Sequence, residues 1–135
     1  MNDCLFCKII NKEMPSFGVY EDELVYAFLD IHPVNPGHVV IVPKEHAEDL
    51  RTSDKATMAH LMNVIQEIGP KISKAVGAEA FNVASNVGRA AGQVIFHTHL
   101  HIIPRFPADG HEQWHGTDEH VDFEAMKQKI LEKIS

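Results

Sequence analysis

The stretch Gln93 to Pro104, "QVIFHTHLHIIP", places His97, His99 and His101 at every second position, with apolar residues around them. Alternate side chains of a β-strand share a face. The spacing therefore predicts a strand over 94–103 whose three imidazoles point one way, about 6.5–7 Å apart between neighbours. Ile95 precedes them on that face, while Phe96, Thr98, Leu100 and Ile102 point to the other. The second face is largely apolar and needs cover from another layer. The histidine face is then the more exposed one, or it lines a cleft. This is the strongest constraint on the fold, because such a strand belongs in a sheet packed under a helix.

The other segments supply that sheet and that helix. "FGVYED" and "LVYAFLDI" read as two strands joined at Glu21-Asp22-Glu23, a hairpin turn. Asn35-Pro36-Gly37 makes a turn before a strand Val39–Val42, which Pro43 ends. From Ser53 the period changes: Met58, Leu61, Met62, Ile65, Ile68 and Ile72 recur at helical steps. Ser53 can cap the start of that helix and Gly77 its end, and Pro70 removes one backbone donor and can kink it. "FNVASNV" reads as a fourth strand and "NVGRAAGQ" as a glycine-containing loop. "CLFCKIIN" is a short helical turn with Leu5, Phe6 and Ile9 inward; the tail from Asp122 is an amphipathic helix with Phe123, Met126, Ile130 and Ile134 on one stripe. Short turns between strands imply antiparallel pairing. The expected fold class is α+β, an antiparallel sheet of about five strands with one long helix packed on it and a C-terminal helix. Its 135 residues suit a single domain, 1–135.

Composition narrows the partners. Apolar residues at 44% and charged residues at 23% argue against disorder. A net charge of −7 with no Lys/Arg run excludes electrostatic binding to a nucleic acid backbone but leaves room for a nucleotide in a pocket. No apolar run nears the roughly 20 residues of a membrane span, and "MNDCLFCKIINKEMP" lacks the features of a secretion signal. The expectation is a cytoplasmic protein with no membrane partner.

Three alternating histidines allow three readings. They can be surface residues on a wet sheet face. They can bind a metal, although neighbours on an extended strand are too far apart for one ion to reach all three at about 2 Å each. Or they can be catalytic: a neutral imidazole attacks phosphorus to form a phospho-histidine, while its neighbours supply positive charge and protons. Mutual repulsion disfavours triple protonation and keeps one ring neutral near pH 7. Cys4-Leu5-Phe6-Cys7 is half of a zinc site; two unpaired thiols are the alternative, and no thioredoxin-like pattern surrounds the pair. His32 and His38 read as loop residues. His111, His115 and His120 sit in a polar tail segment with Trp114 and receive no assignment.

The segment His97-Thr98-His99-Leu100-His101-Ile102-Ile103 resembles the His-x-His-x-His motif of the histidine triad (HIT) family of nucleotide hydrolases and transferases. "CKIINKEMPSFGVYEDELVYAFLDIHPVNPGHVVIVPKEH" is similar to that family's N-terminal half, and "NVGRAAGQ" to its phosphate loop. The likeness runs from about Cys4 to Pro107 and is greatest for the Hint branch, named for nucleoside phosphoramidate activity.

The resemblance implies roles. His99 is the nucleophile on an α-phosphate, His101 hydrogen-bonds the phosphate or assists the leaving group, and His97 orients its neighbours. Asn86, Gly92 and Gln93 line the phosphate and ribose region, Phe6, Ile9, Phe28 and Ile31 enclose the base, and Asp30 binds the ribose hydroxyls. Val94 stands where many relatives carry a serine or threonine, so a hydroxyl that donates to phosphate or leaving group is missing there. Bacterial-type members complete a zinc site with two further histidines, which here correspond to His46 and His97; Cys4, Cys7, His46 and His97 then form a structural Zn2+ site, with no catalytic metal required. The substrate implied is a purine nucleoside monophosphate joined to a phosphoramidate-type leaving group, and the assembly implied is a homodimer. A dinucleoside polyphosphate hydrolase and a nucleotide-binding scaffold with little turnover are the alternatives.

Overall fold

The computed structural model describes residues 3–135. A short helix α1 (Leu5–Ile10) leads into strands β1 (Gly18–Glu21), β2 (Val25–Leu29) and β3 (Val39–Pro43). The long helix α2 (Lys55–Ala75) follows, then β4 (Ala80–Ala84), β5 (Leu100–Arg105) and the C-terminal helix α3 (Phe123–Ile134). The five strands form one antiparallel sheet in the order β1-β2-β3-β5-β4, so the α+β reading holds. Asp22 closes the first hairpin: its Oδ1 accepts the amide hydrogens of Leu24 at 2.8 Å and Val25 at 2.9 Å.

Side-chain alternation divides the central strands between two cores. Val25, Ala27, Val39, Ile41, Leu100 and Ile102 pack under Leu61, Val64, Ile65 and Ile68 of α2. On the opposite face Tyr26, Phe28, Val40 and Val42 meet Phe6 and Ile9 of α1. Both faces of β2 and β3 are thus covered, which explains their near-continuous apolar sequence. Deleting Leu61 to alanine at the centre of the α2 contact would cost about 2–5 kcal/mol.

Several local expectations change. Asp54, not Ser53, caps α2, accepting from the amide and hydroxyl of Thr57, both at 2.9 Å. Ser53 instead bonds the Thr98 hydroxyl at 2.6 Å. Met62 faces solvent and Val64 takes its place in the core. The helix continues through Pro70. The adjoining Gly69 lies against Phe81, where a Cβ would stand 2.8 Å from the ring. The fourth strand ends at Ala84 rather than Val87. Most consequential, β5 starts at Leu100, not Val94. His101 lies in the strand, and His97 and His99 precede it.

α3 forms as its pattern predicts, capped by Asp122. Phe123, Met126, Ile130 and Ile134 are all exposed on it. No helix among the described residues is long and apolar enough to cross a membrane.

Candidate active site

Residues 95–99 leave the sheet because their polar groups have other partners. The Thr98 amide donates to the Ala47 carbonyl at 2.9 Å instead of a ladder partner. Gln93 is buried, and its side chain braces the turn: Nε2 donates to the carbonyls of Glu48 at 2.8 Å and Ile95 at 3.1 Å, while Oε1 accepts from the Gly88 amide at 2.8 Å. Gln93 therefore does not line the cavity with its side chain, in contrast to the expectation for it. The glycine loop also departs from a simple amide cradle. The amides of Ala91, Gly92 and Gln93 turn inward to the carbonyls of Gly88 and Arg89, and the loop offers the Asn86 side chain to the cavity. Gly92 adopts φ 94°, a left-handed conformation that favours glycine.

The bend opens onto a cleft of about 500 Å³ between α1 and the sheet. Phe6, Ile9, Phe28, Asp30, Ile31, Asn86, Gly92, Val94, His99 and His101 all border it. Phe6 and Phe28 meet edge to face at 5.6 Å between centroids, and Phe6 stands 5.0 Å from the His99 ring. Ile31 and Val94 sit at the mouth, Val94 being 83% exposed. The lining is mainly apolar and contains no Lys or Arg. Asp30 also shapes the entrance, its Oδ1 accepting from the His32 amide at 2.8 Å.

Main-chain carbonyls fix the proton on the rings of His97 and His99. His99 Nδ1 donates to the His97 carbonyl at 2.7 Å. Its Nε2 therefore keeps a free lone pair on the cleft side. His97 Nε2 donates to the Pro43 carbonyl at 2.8 Å, leaving the Nδ1 lone pair free. Burial holds both rings below the usual histidine range, against the hydrogen bonds that oppose it. His101 is pushed down to about 4, by burial first and then by its neighbours His99 and His38. All three are thus neutral near pH 7, the form in which an imidazole can attack.

The free Nδ1 of His97 faces a cage. It lies 3.4 Å from Cys4 Sγ, 3.5 Å from Cys7 Sγ and 3.1 Å from His46 Nδ1, and Cys7 Sγ is 3.4 Å from His46 Nδ1. A tetrahedral ion with ordinary zinc bond lengths spaces nitrogen and sulfur ligands ~3.6 Å apart and two nitrogens ~3.4 Å apart. The Cys7 amide donates to Cys4 Sγ at 3.3 Å, fixing the first thiol at the head of α1. Burial, aided by Cys4, pushes the Cys7 thiol up to about 11. A bound cation reverses that shift, because it binds the thiolate. The donors fit zinc, and Cys4, Cys7, His46 and His97 can hold a metal ion.

The family model described as the HIT domain matches residues 11–108. The chain belongs to the HIT family. An uncharacterized HIT-like protein of Borreliella burgdorferi is 44% identical over 98% of this chain and 96% of its own length. The adenylylsulfatase HINT3 of Arabidopsis thaliana is 45% identical over 80% of this chain and 55% of the plant protein. The adenosine 5′-monophosphoramidase hnt1 of Schizosaccharomyces pombe is 39% identical over 76% and 74%. Among solved structures, a Streptococcus mutans UA159 protein superposes with a TM-score of 0.91 at 38% identity, covering 100% of this chain and 87% of that one. A Zn-bound histidine triad family protein from Mycobacterium smegmatis gives 0.78 at 36% identity, covering 87% and 85%.

One residue of this HIT site was missed in the sequence. His38, read there as a loop residue, is buried beside the triad, with Nε2 2.8 Å from His101 Nδ1 and 3.6 Å from Asp30 Oδ2. The usable signal was its position two residues before Val40, which pairs with His101 across β3 and β5. His32 lines the cleft mouth. His111 Nε2 donates to the Val34 carbonyl at 3.0 Å. Trp114 is fully exposed.

Proposed function

We propose that this HIT protein cleaves a purine nucleoside monophosphate from a phosphoramidate-type leaving group through a covalent nucleotidyl-histidine on His99. The observation that carries this reading is the His99 ring: Nδ1 is committed to the His97 carbonyl, so the Nε2 lone pair is free at the edge of an apolar cleft. The base packs between Phe6, Ile9 and Phe28, with Ile31 at the entrance. Asp30 takes the ribose hydroxyls, and Asn86 and Gly92 border the phosphate. His99 Nε2 attacks the α-phosphorus, and the bond to the leaving group breaks with its electron pair going to the leaving group, which takes a proton from water. His101 presents its remaining N–H to the phosphoryl oxygens. Water then attacks phosphorus, the P–N bond returns its electrons to His99, and one water has been consumed overall. Splitting the displacement in two lowers each barrier.

The absence of Lys and Arg from the cleft lining favours a single bridging phosphate over a dinucleoside polyphosphate. Cys4, Cys7, His46 and His97 would hold zinc, which would supply a structural clamp on His97. Reduced thiolates of this kind accord with a cytoplasmic location. We further read residues 1–135 as one domain and the uncovered stripe of α3 as part of a homodimer interface. The test is release of AMP from adenosine 5′-phosphoramidate by wild type and His99→Ala. Turnover by the wild type and none by a folded variant supports the reading; equal activity in both overturns it.

A further inference from the structure

Ser16 is the one hydroxyl that borders the cleft among the described residues, and the reaction above makes no use of it. Strand register gives its place. His101 on β5 pairs with Val40 on β3, Val40 with Phe28 on β2, and Phe28 with Gly18 on β1. These residues form one row across the sheet, and three interstrand spacings set its ends ~14 Å apart. Phe17 extends β1, its carbonyl accepting the Leu29 amide at 2.9 Å, and Ser16 comes next. Ser16 and the triad therefore stand at opposite ends of the cleft, with Phe28 and Val40 between them. A nucleotide whose phosphate meets His99 turns its base towards Ser16.

A buried tyrosine sets the direction of that hydroxyl. Ser16 Oγ lies 2.7 Å from the Tyr26 hydroxyl, which has no other partner among the described residues. Tyr26 is buried and stacks on Phe28 at 5.5 Å between centroids. Gly18 makes room for it, because a side chain there would collide with the Tyr26 oxygen. A phenol is the stronger acid of the two. Lys12 Nζ, 4.3 Å from the ring centroid, draws its electrons further. A buried donor left without an acceptor is costly. The Tyr26 O–H therefore donates and Ser16 Oγ accepts. Acceptance uses one lone pair and polarises the Ser16 O–H, whose hydrogen is left for the cleft.

We propose that Ser16 reads the base, donating its hydroxyl hydrogen to the carbonyl of a 6-oxopurine, and that Tyr26 is the positioning residue that makes it a donor. At the 6-position guanine and hypoxanthine carry an acceptor, whereas adenine carries an amino donor. A donor at the far end of the cleft favours the first pair. One neutral hydrogen bond gives a preference of about fivefold. The assignment rests on the nucleotide reading above, with the phosphate at His99.

The test is calorimetric titration of the zinc-loaded protein with IMP and AMP. The wild type should bind IMP about fivefold more tightly than AMP. Ser16→Ala should abolish the preference by weakening IMP, with AMP changed by less than about twofold. The double variant Ser16→Ala/Tyr26→Phe should behave alike, and it leaves no buried phenol without an acceptor should the single variant fail to fold. Tyr26→Phe alone should narrow the ratio, because Ser16 then donates and accepts alike; a merely structural loss would weaken both nucleotides equally. Equal or tighter binding of AMP by the wild type overturns the proposal, as does a preference that survives removal of both hydroxyls. A wild type that binds neither nucleotide overturns the nucleotide reading and the base assignment with it. The expected preference without release of product from adenosine or inosine 5′-phosphoramidate defeats the hydrolase chemistry alone and upholds the base assignment.

Discussion

Two histidine clusters flank His99 and differ in the main-chain atom that meets the key ring. At Cys4, Cys7, His46 and His97 the second nitrogen of the key ring meets a carbonyl, that of Pro43. At Asp30, His38 and His101 it meets an amide, that of Val34. The carbonyl removes a proton from the cage side and leaves a lone pair that can bind a metal. The amide forces a proton outward and leaves a hydrogen-bond donor. The key ring is a histidine in both; the main-chain group it meets sets whether its other nitrogen offers a lone pair or a proton.

The largest effect expected from breaking this contrast is at the cage. Cys7→Ala should reduce bound zinc from one per chain to none by elemental analysis. It should also remove the stabilisation that metal confers, about 4 kcal/mol at free zinc a thousandfold above Kd, read as the zinc-dependent change in thermal unfolding. Zinc-dependent stability that survives in the variant would remove the cage from the comparison.

Acid should separate the clusters next. An unfolded histidine takes its proton near 6.5, and His101 in the fold only near about 4. Between those values the unfolded chain binds more protons. Its contribution is therefore complete above about 6.5 and declines as pH falls towards 4. Urea midpoints at pH 7, 6 and 5 should fall steadily, and His101→Gln should flatten the decline. An identical slope in the variant would place the acid sensitivity elsewhere.

A smaller effect is expected from Asp109→Ala. That carboxylate accepts from Arg105 at 2.7 Å, from Asn35 at 2.9 Å and from the Phe106 amide at 3.1 Å, tying the His38 loop to the end of β5. Loss of the tie should lower turnover of adenosine 5′-phosphoramidate by about tenfold, with zinc retained. The smallest belongs to Val94→Ser at the exposed mouth. Stability should stay within about 0.5 kcal/mol. The added hydroxyl should raise the phosphoramidate rate by less than about tenfold, and a larger gain would make Val94 a principal limit on turnover.

The sheet and both long helices were readable because they rest on periodicity; the Cys4–Cys7 pair was readable as a motif, and its grouping with His46 and His97 only through the family resemblance. The start of β5 was not. Alternation continues back to Val94 in the sequence, while the Thr98 amide and the Gln93 side chain find partners outside the sheet. Periodicity reports side-chain faces, not where the main-chain bonds go. His38 stayed hidden for a related reason: 63 residues separate it from His101, and only strand register joins them. Ser53 lost the cap to Asp54 because Thr98 claimed its hydroxyl.

The six residues of α1 have two jobs. Cys7, with Cys4 just ahead, looks into the cage, while Phe6 and Ile9 form a wall of the cleft. A helix this short does not persist without its packing partners. Whatever grips its cysteines also holds that wall in place. A metal in the cage and a ligand in the cleft would therefore be linked through one tether, and linkage is reciprocal: a filled cleft would tighten the cage by the same factor that a filled cage would tighten the cleft.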